Sequence, residues 1–199
     1  MSKIKTVGIV GTGVIGTGWI IRNLAHNKIV HAYDQNKNLK NYVLKEIKRT
    51  SKSIKKLFGK KILIKNLKFF NSLEKALSNV DFVQESVLEN YKVKTDLIQK
   101  ISKYVKSNVI ISSSSSGLLP SKIFSKCKNP QRGIIGHPFN PAYLLPAVEI
   151  VPGKKTTRKF LSDANKYYKS ISMRPIMLKK ELPGYLSDRL QEALWREGL

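Results

Sequence analysis

The chain has 199 residues, 41% of them hydrophobic, one cysteine and a formal net charge of +24. That length carries one full core and part of a second, no apolar run approaches the roughly 20 residues of a membrane span, and a lone cysteine excludes an internal disulfide and a paired-cysteine metal site. The charge invites a nucleic-acid reading, but it comes from 30 lysines against 7 arginines scattered along the chain, without the arginine forks that read bases.

No specific nucleic-acid partner, no membrane partner and no metal are therefore expected. Met1–Lys5 runs straight into the first apolar stretch, which leaves no room for a signal peptide and implies a cytoplasmic protein. The periodicity predicts a strand over Ile4–Val10, then a helix from Val14 to about His26. Between them lies Gly11-Thr12-Gly13-Val14-Ile15-Gly16, a GxGxxG run in its proper strand-to-helix setting. A second strand, Ile29–Tyr33, ends at Asp34. Gly11 suits the tight turn, Gly13 the close approach of a pyrophosphate, and Gly16 the packing of helix on strand. The helix N-terminus offers free N–H groups to phosphates. Asp34 can accept both ribose hydroxyls and would repel a 2′-phosphate, so the expected cofactor is NAD, held by residues 11 to 16 and Asp34.

A long basic helix follows over Asn38–Phe58, with Val43, Ile47, Ile54 and Phe58 inward and the lysines of 45–61 on a solvated face. A short strand (Leu67–Phe70), a short helix capped by Ser72, a buried strand (Asp81–Glu85) and a helix from Asn90 to Val105 come next. The apolar face of that helix is Val93, Leu97, Ile98, Ile101 and Val105. Further strands are predicted at Val109–Ser112, Gly133–Gly136, Ala147–Val151 and Pro175–Leu178, with a helical turn at 121–125 and a helix at Thr156–Ser170. The alternation implies a doubly wound α/β fold with a mostly parallel sheet covered on both faces. Glu181-Leu182-Pro183-Gly184 breaks the pattern. The amphipathic helix from Tyr185 to Leu199 carries Tyr185, Leu186, Leu190, Leu194 and Trp195 as an apolar stripe with nothing to cover it. The expectation is a nucleotide-binding domain over 1–180 and the incomplete start of a helical substrate and dimerisation domain over 181–199, in a fragment or a natural truncation.

Three histidines are present, and His26 and His31 read as surface or cap residues flanking a turn. His137 lies in Gly136-His137-Pro138-Phe139-Asn140-Pro141 at a strand's C-terminal end, where open α/β sheets bind ligands. Glu149 lies inside an apolar strand and needs a partner. The two form either an oriented general base or a structural ion pair. Ser113–Ser116 with Gly117 is either a flexible loop or a set of hydroxyls for a substrate oxygen, and no GxSxG elbow marks a serine nucleophile.

Taken in order, the GxGxxG run, the serine loop with Gly117-Leu118, Gly136–Pro141, Val148-Glu149-Ile150-Val151 and Pro183-Gly184-Tyr185-Leu186-Ser187-Asp188-Arg189-Leu190 resemble the 3-hydroxyacyl-CoA dehydrogenase superfamily over essentially the whole chain. Phe82–Ser86, Ser114–Ser121, Met173-Arg174-Pro175 and Glu192–Glu197 are most similar to its carnitine dehydrogenase branch. The resemblance implies a Rossmann domain that binds NAD, a helical domain that completes the pocket, and a homodimer. It places catalytic roles on His137, Glu149 and Ser116, and substrate contacts on Ser116, Asn140 and Asp188. The acyl-CoA enzymes have asparagine where Asp188 stands. A carboxylate there suits a substrate with a fixed cation, or forms a surface pair with Arg189 or a lysine. The expected reaction is NAD-dependent oxidation of the 3-hydroxyl of L-carnitine. The alternatives are a 3-hydroxyacyl-CoA dehydrogenase, with lysines such as Lys92 and Lys94 on CoA phosphates, and an inactive nucleotide-binding fragment.

Overall fold

Alternating apolar strands and amphipathic helices assemble around one sheet in the computed structural model, which describes residues 4–198. Among those residues the strands are β1 (Thr6–Val10), β2 (Ile29–Tyr33), β3 (Leu67–Phe70), β4 (Phe82–Glu85), β5 (Ile110–Ser113), β6 (Gly133–Pro138), β7 (Ala147–Pro152) and β8 (Arg174–Met177). The helices are α1 (Val14–Ala25), α2 (Leu39–Phe58), α3 (Leu73–Leu77), α4 (Tyr91–Tyr104), α5 (Pro120–Ile123), α6 (Arg158–Ser170) and α7 (Ser187–Gly198). The strand order is β3-β2-β1-β4-β5-β6-β7-β8. The order reverses between β1 and β4, which opens a crevice above their C-terminal ends. No helix among the described residues is long and apolar enough to cross a membrane.

Two buried clusters cover the two faces. Trp19, Ile21 and Leu24 of α1, Val43 and Ile47 of α2, and Tyr167 and Tyr168 of α6 pack on one side. Leu77 of α3, Ile98 and Ile101 of α4, and Ile123 of α5 pack on the other. Each fully buried Ile or Leu contributes about 1.5–3 kcal/mol. The lysine-rich side of α2 is exposed, and its buried positions are Val43, Ile47, Thr50 and Ile54. The basic run is thus a solvated helix face. Ser72 and Asn90 cap α3 and α4 through their side chains.

One pairing departs from the parallel pattern. β6 and β7 are antiparallel, with His137 directly opposite Glu149. The link 139–146 explains this, because a parallel crossover needs about a dozen residues or more. β8 then returns parallel to β7.

The amphipathic helix also begins later than its pattern suggests. Tyr185 is not on the apolar stripe. It sits in a turn with φ +43°, fully buried, and its hydroxyl donates to Leu118 O at 2.7 Å. Leu186, Leu190, Leu194 and Trp195 are exposed.

Arg22 of α1 is completely buried, and its guanidinium donates to the carbonyls of Ala142 (2.7 Å), Leu145 (2.9 Å), Ile171 (3.2 Å) and Ser172 (3.2 Å). Burial pushes its pKa down to about 10, and no carboxylate offsets this. Only a planar fork reaches so many acceptors at once. Replacing Arg22 with Met should strand these buried carbonyls and cost about 3 kcal/mol or more, a fall in Tm of roughly 6–12 °C for a domain of this size. Arg22→Lys should recover little of it. Thermal unfolding of the two variants checks this, and near-native stability of Arg22→Lys would count against it.

Candidate functional site

The glycine loop follows β1 at the crevice. Gly11 has φ +88°, and a Cβ there would lie 2.7 Å from Ser86 O. A Cβ on Gly16 would lie 1.9 Å from Gly11 O, whereas a Cβ on Gly13 would meet nothing within 4 Å. Gly11 and Gly16 therefore serve the fold, and Gly13 leaves an open approach. The N-terminus of α1 has no side-chain cap and no acid in its first turn, so its leading N–H groups stay open to an anion. Thr12 is buried, Ile15 is half-buried against the core, and Val14 is exposed at the loop's rim.

Asp34 is tied to this loop. Its Oδ2 accepts the Thr12 N–H at 2.6 Å and the Thr12 hydroxyl at 3.3 Å, and its Oδ1 accepts the Asn36 N–H at 2.8 Å. It lines a cleft of about 600 Å³ with Gly11, Gly13, Ser86 and Val93. Val93 is exposed in this cleft and does not join the core. Helical periodicity cannot separate a side chain that faces the core from one that faces a ligand cleft. The open N–H groups, the unobstructed Gly13 and the anchored carboxylate fit a dinucleotide without a 2′-phosphate.

His137 ends β6 on the same edge of the sheet. Its ring is 8% exposed, and Nδ1 lies 2.8 Å from Glu149 Oε2. Glu149 is fully buried. Its Oε1 accepts the N–H groups of Leu186 (3.0 Å) and Ser187 (2.9 Å), and its Oε2 also accepts the Ser187 hydroxyl at 2.6 Å. Burial pushes the Glu149 carboxyl up, but the hydrogen bonds from His137, Ser187 and Leu186 outweigh it and hold the group below the ordinary carboxylate range. The Nε2 of His137 makes no hydrogen bond among the described residues. Phe139 and Tyr185 flank the ring at 5.8 and 5.7 Å between centroids.

The serine loop after β5 is held at every step. Ser113 donates to buried Glu85 (2.5 Å), and Ser114 Oγ is shared by Trp19, Gln84 and Ser86. Ser115 Oγ and the N–H groups of Ser116 (2.9 Å) and Gly117 (3.3 Å) all donate to Glu89 Oε1. Ser116 thereby points an exposed, unencumbered hydroxyl from a fixed backbone. The low-complexity composition suggests a flexible loop, but composition does not register Glu89, which organises it from the segment before α4.

Glu85 also accepts from Lys94 Nζ at 2.8 Å, and Lys94 is only 1% exposed. This rules out the expected role of Lys94 on a CoA phosphate, because an ammonium already buried with a carboxylate has no solvent-facing charge to offer. Lys92 is exposed. His26 and His31 bond the carbonyls of Arg22 and Ala76 and lie outside the site.

Asn140 is exposed in the link that follows β6. Asp188, in the first turn of α7, is half-buried and within electrostatic reach of His137 and Glu149. Burial raises its pKa. The His137 ring works against that rise, and Glu149 and Glu89 add to it. Among the described residues no lysine or arginine lies within ion-pair distance of Asp188, so the surface pair with Arg189 is absent. Glu85, Glu89 and Ser187 carry no site role in the sequence reading, and Lys94 carries a different one. The signal was the run Glu85–Asn90, where two acids flank the end of a strand beside a cap residue.

A mostly parallel Rossmann sheet, a dinucleotide cleft at its switch point and an imidazole–carboxylate couple beside it define a nucleotide-dependent α/β domain. Residues 6–182 match the family model "3-hydroxyacyl-CoA dehydrogenase, NAD binding domain", and the chain belongs to that family. L-carnitine dehydrogenase of Oceanobacillus iheyensis is 42% identical over 98% of this chain and 64% of its own length. The enzyme of the same name from Pseudomonas putida is 42% identical over 100% of this chain and 62% of its own length. The chain thus spans less than two thirds of these relatives. Among solved structures, an NAD-dependent 5-formyl-3-hydroxy-2-methylpyridine-4-carboxylic acid 5-dehydrogenase matches with TM-score 0.90 and 26% identity over 98% of this chain and 64% of that one. The 3-hydroxybutyryl-CoA dehydrogenase of Escherichia coli K12 shares the fold, with TM-score 0.90 and 23% identity over 98% of this chain and 42% of that one.

Two outcomes follow from this geometry. Asp34→Ala should weaken NAD binding more than NADP binding, as calorimetry on both nucleotides would record. Tighter NADP than NAD binding in the unmodified protein would overturn the reading of Asp34. Glu149 titrates lower in the folded state than in the unfolded chain. Its stabilisation is therefore complete above the ordinary carboxylate pKa of about 4.3 and is lost as pH falls through the lowered folded value. The stability gap between wild type and Glu149→Gln should be widest near neutrality and close on acidification. Urea unfolding from pH 7 to 3 reads this, and a gap independent of pH would refute it.

Proposed function

We propose that the protein is an NAD-dependent 3-hydroxy acid dehydrogenase whose substrate is L-carnitine. The observation that carries this reading is the oriented imidazole of His137 beside a half-buried carboxylate, Asp188, that has no cation partner among the described residues. The relatives named L-carnitine dehydrogenase support it.

Glu149 holds Nδ1 of His137, which leaves Nε2 as the proton acceptor for the C3 hydroxyl of the substrate. As the imidazole takes that proton, the adjacent carboxylate stabilises the imidazolium. The Ser116 hydroxyl holds the reacting oxygen, and Asn140 is a further substrate contact. NAD, held by residues 11 to 16 and Asp34, supplies the hydride acceptor when bound. Asp188 meets the trimethylammonium group, which sits one carbon from C3 of carnitine and can donate no conventional hydrogen bond. The half-buried aromatic face of Phe139 suits the same group.

Residues 181–199 are read as the opening of a helical domain that would cover the exposed stripe of α7 and complete the pocket, in a cytoplasmic homodimer. What supports this is the bare apolar face of α7 and the resemblance of residues 183–190 to the segment joining the two domains in this superfamily.

The test is NADH formation by the full-length enzyme with L-carnitine and with 3-hydroxybutyryl-CoA. Carnitine should be the better substrate. His137→Ala should lose about 10² to 10⁴ in rate with NAD still bound. Asp188→Asn should raise the KM for carnitine roughly 30-fold, the low end for a truncated charge pair because Asp188 is only half-buried. Faster turnover of the CoA ester would sink the carnitine assignment, and near-normal turnover by His137→Ala would remove the general base.

A further inference from the structure

The Oε2 atom of Glu149 has two claimants. His137 Nδ1 lies 2.8 Å from it, and the Ser187 hydroxyl lies closer, at 2.6 Å. The other oxygen is occupied by two backbone N–H groups from the same short segment. A carboxylate offers about four lone-pair sites, and here all four are used. The backbone N–H groups are obligatory once the chain turns through Gly184 and Tyr185, both at positive φ. The Ser187 hydroxyl is not obligatory, because the helix N-terminus would form with alanine in its place. It is the one donor to Glu149 that a single side-chain change can withdraw while leaving the backbone and the histidine in place.

We propose that Ser187 is a positioning residue that sets how much of the Glu149 carboxylate is available to the His137 imidazole. The argument rests on the reading of His137 and Glu149 as the acid–base couple. A hydrogen bond to a carboxylate draws its charge toward the donor, and two donors on one oxygen divide that charge. With Ser187 bonded, less of the carboxylate charge is left to hold the His137 ring than Glu149 alone would offer. The other groups facing the ring are Tyr185 from the turn, Asp188 from α7 and Glu89 through Asp188. None of them shares an acceptor with Nδ1, so the division is specific to Ser187.

The chain has only 3 histidines, so ring proton and carbon signals from His137 can be followed by NMR titration and assigned with a His137→Gln control. Ser187→Ala should move the His137 midpoint upward by about half a pH unit or more, the portion of a charge-assisted hydrogen bond passed on through the shared oxygen. Ser187→Thr, which keeps the hydroxyl, should leave it in place. The inflection of the oxidation rate against pH in the full-length enzyme should move the same way. If Ser187→Ala fails to fold, the near-isosteric Ser187→Cys, a weak donor, carries the same expectation. Glu149→Gln separates the two layers. A drop in the midpoint with Glu149→Gln but none of the expected rise with Ser187→Ala or Ser187→Cys defeats this proposal alone. An unchanged midpoint with Glu149→Gln defeats the acid–base couple itself.

Discussion

A fully buried carboxylate with its lone pairs filled from three directions is the constraint on which the site depends. Glu149 receives the ring of β6 from one side and, from the other, two amides and a hydroxyl at the start of α7. An unpaired charge at that depth would cost several kcal/mol, so the sheet, the turn and the helix start must come together or not at all. The antiparallel register of β6 and β7 makes the meeting possible by setting His137 and Glu149 face to face. The buried Tyr185 closes the turn that delivers the amides. The geometry of the His137–Glu149 pair and the attachment of the last helix are therefore one arrangement of atoms.

The parts of this fold that were legible in the sequence are those in which a local pattern has a single physical solution. Ile29–Tyr33 and Leu67–Phe70 were bounded correctly because a short apolar run between polar turns admits little else. Ser72 and Asn90 announced helix starts because their side chains satisfy amides that nothing else reaches. The glycine run and Asp34 were legible for the same reason: the turn, the close packing and the anchored acid each demand one residue type. Where two environments impose the same pattern, the sequence fell short. Val93 keeps helical spacing whether it faces a core or a cleft. Lys94 looks like every other lysine until Glu85 is seen 2.8 Å away. A serine run carries no trace of the distant carboxylate that orders it, and Ser187 has no signature apart from the Glu149 oxygen it reaches.

Charge is distributed in a way that composition hides. The chain has 13 acidic residues against 37 basic ones, yet Glu149 and Asp188 stand beside His137, and Glu89 acts on Asp188 from the serine loop. Glu149 is fully committed to hydrogen bonds and stays charged. Asp188 has no such partners among the described residues, and both other acids push its pKa upward. A small negative basin thus opens in a strongly positive protein. A permanent cation entering it would relieve the repulsion on Asp188, whereas an uncharged acyl chain would leave the repulsion in place. Lysine-rich surroundings attract anionic dinucleotides broadly, and selectivity for a cationic group, as proposed for this site, would have to be built locally.

Arg22 ties the two halves of the site to a common length scale. Helix α1 begins at the glycine loop and ends, through the Arg22 guanidinium, on Ala142 O and Leu145 O in the link between His137 and Glu149. Midway, Gly18 packs so closely on that link that a Cβ would come within 3.0 Å of Ala142 Cβ. The helix is in effect a rigid spacer between the glycine loop and the link that carries His137 into Glu149, graduated at about 1.5 Å and about 100° per residue. One residue added to α1 would turn Arg22 away from its carbonyls and carry the glycine loop out of phase with His137. Insertions are better tolerated in surface loops, but the number of residues between Gly16 and Arg22 is fixed by the distance that the helix has to span.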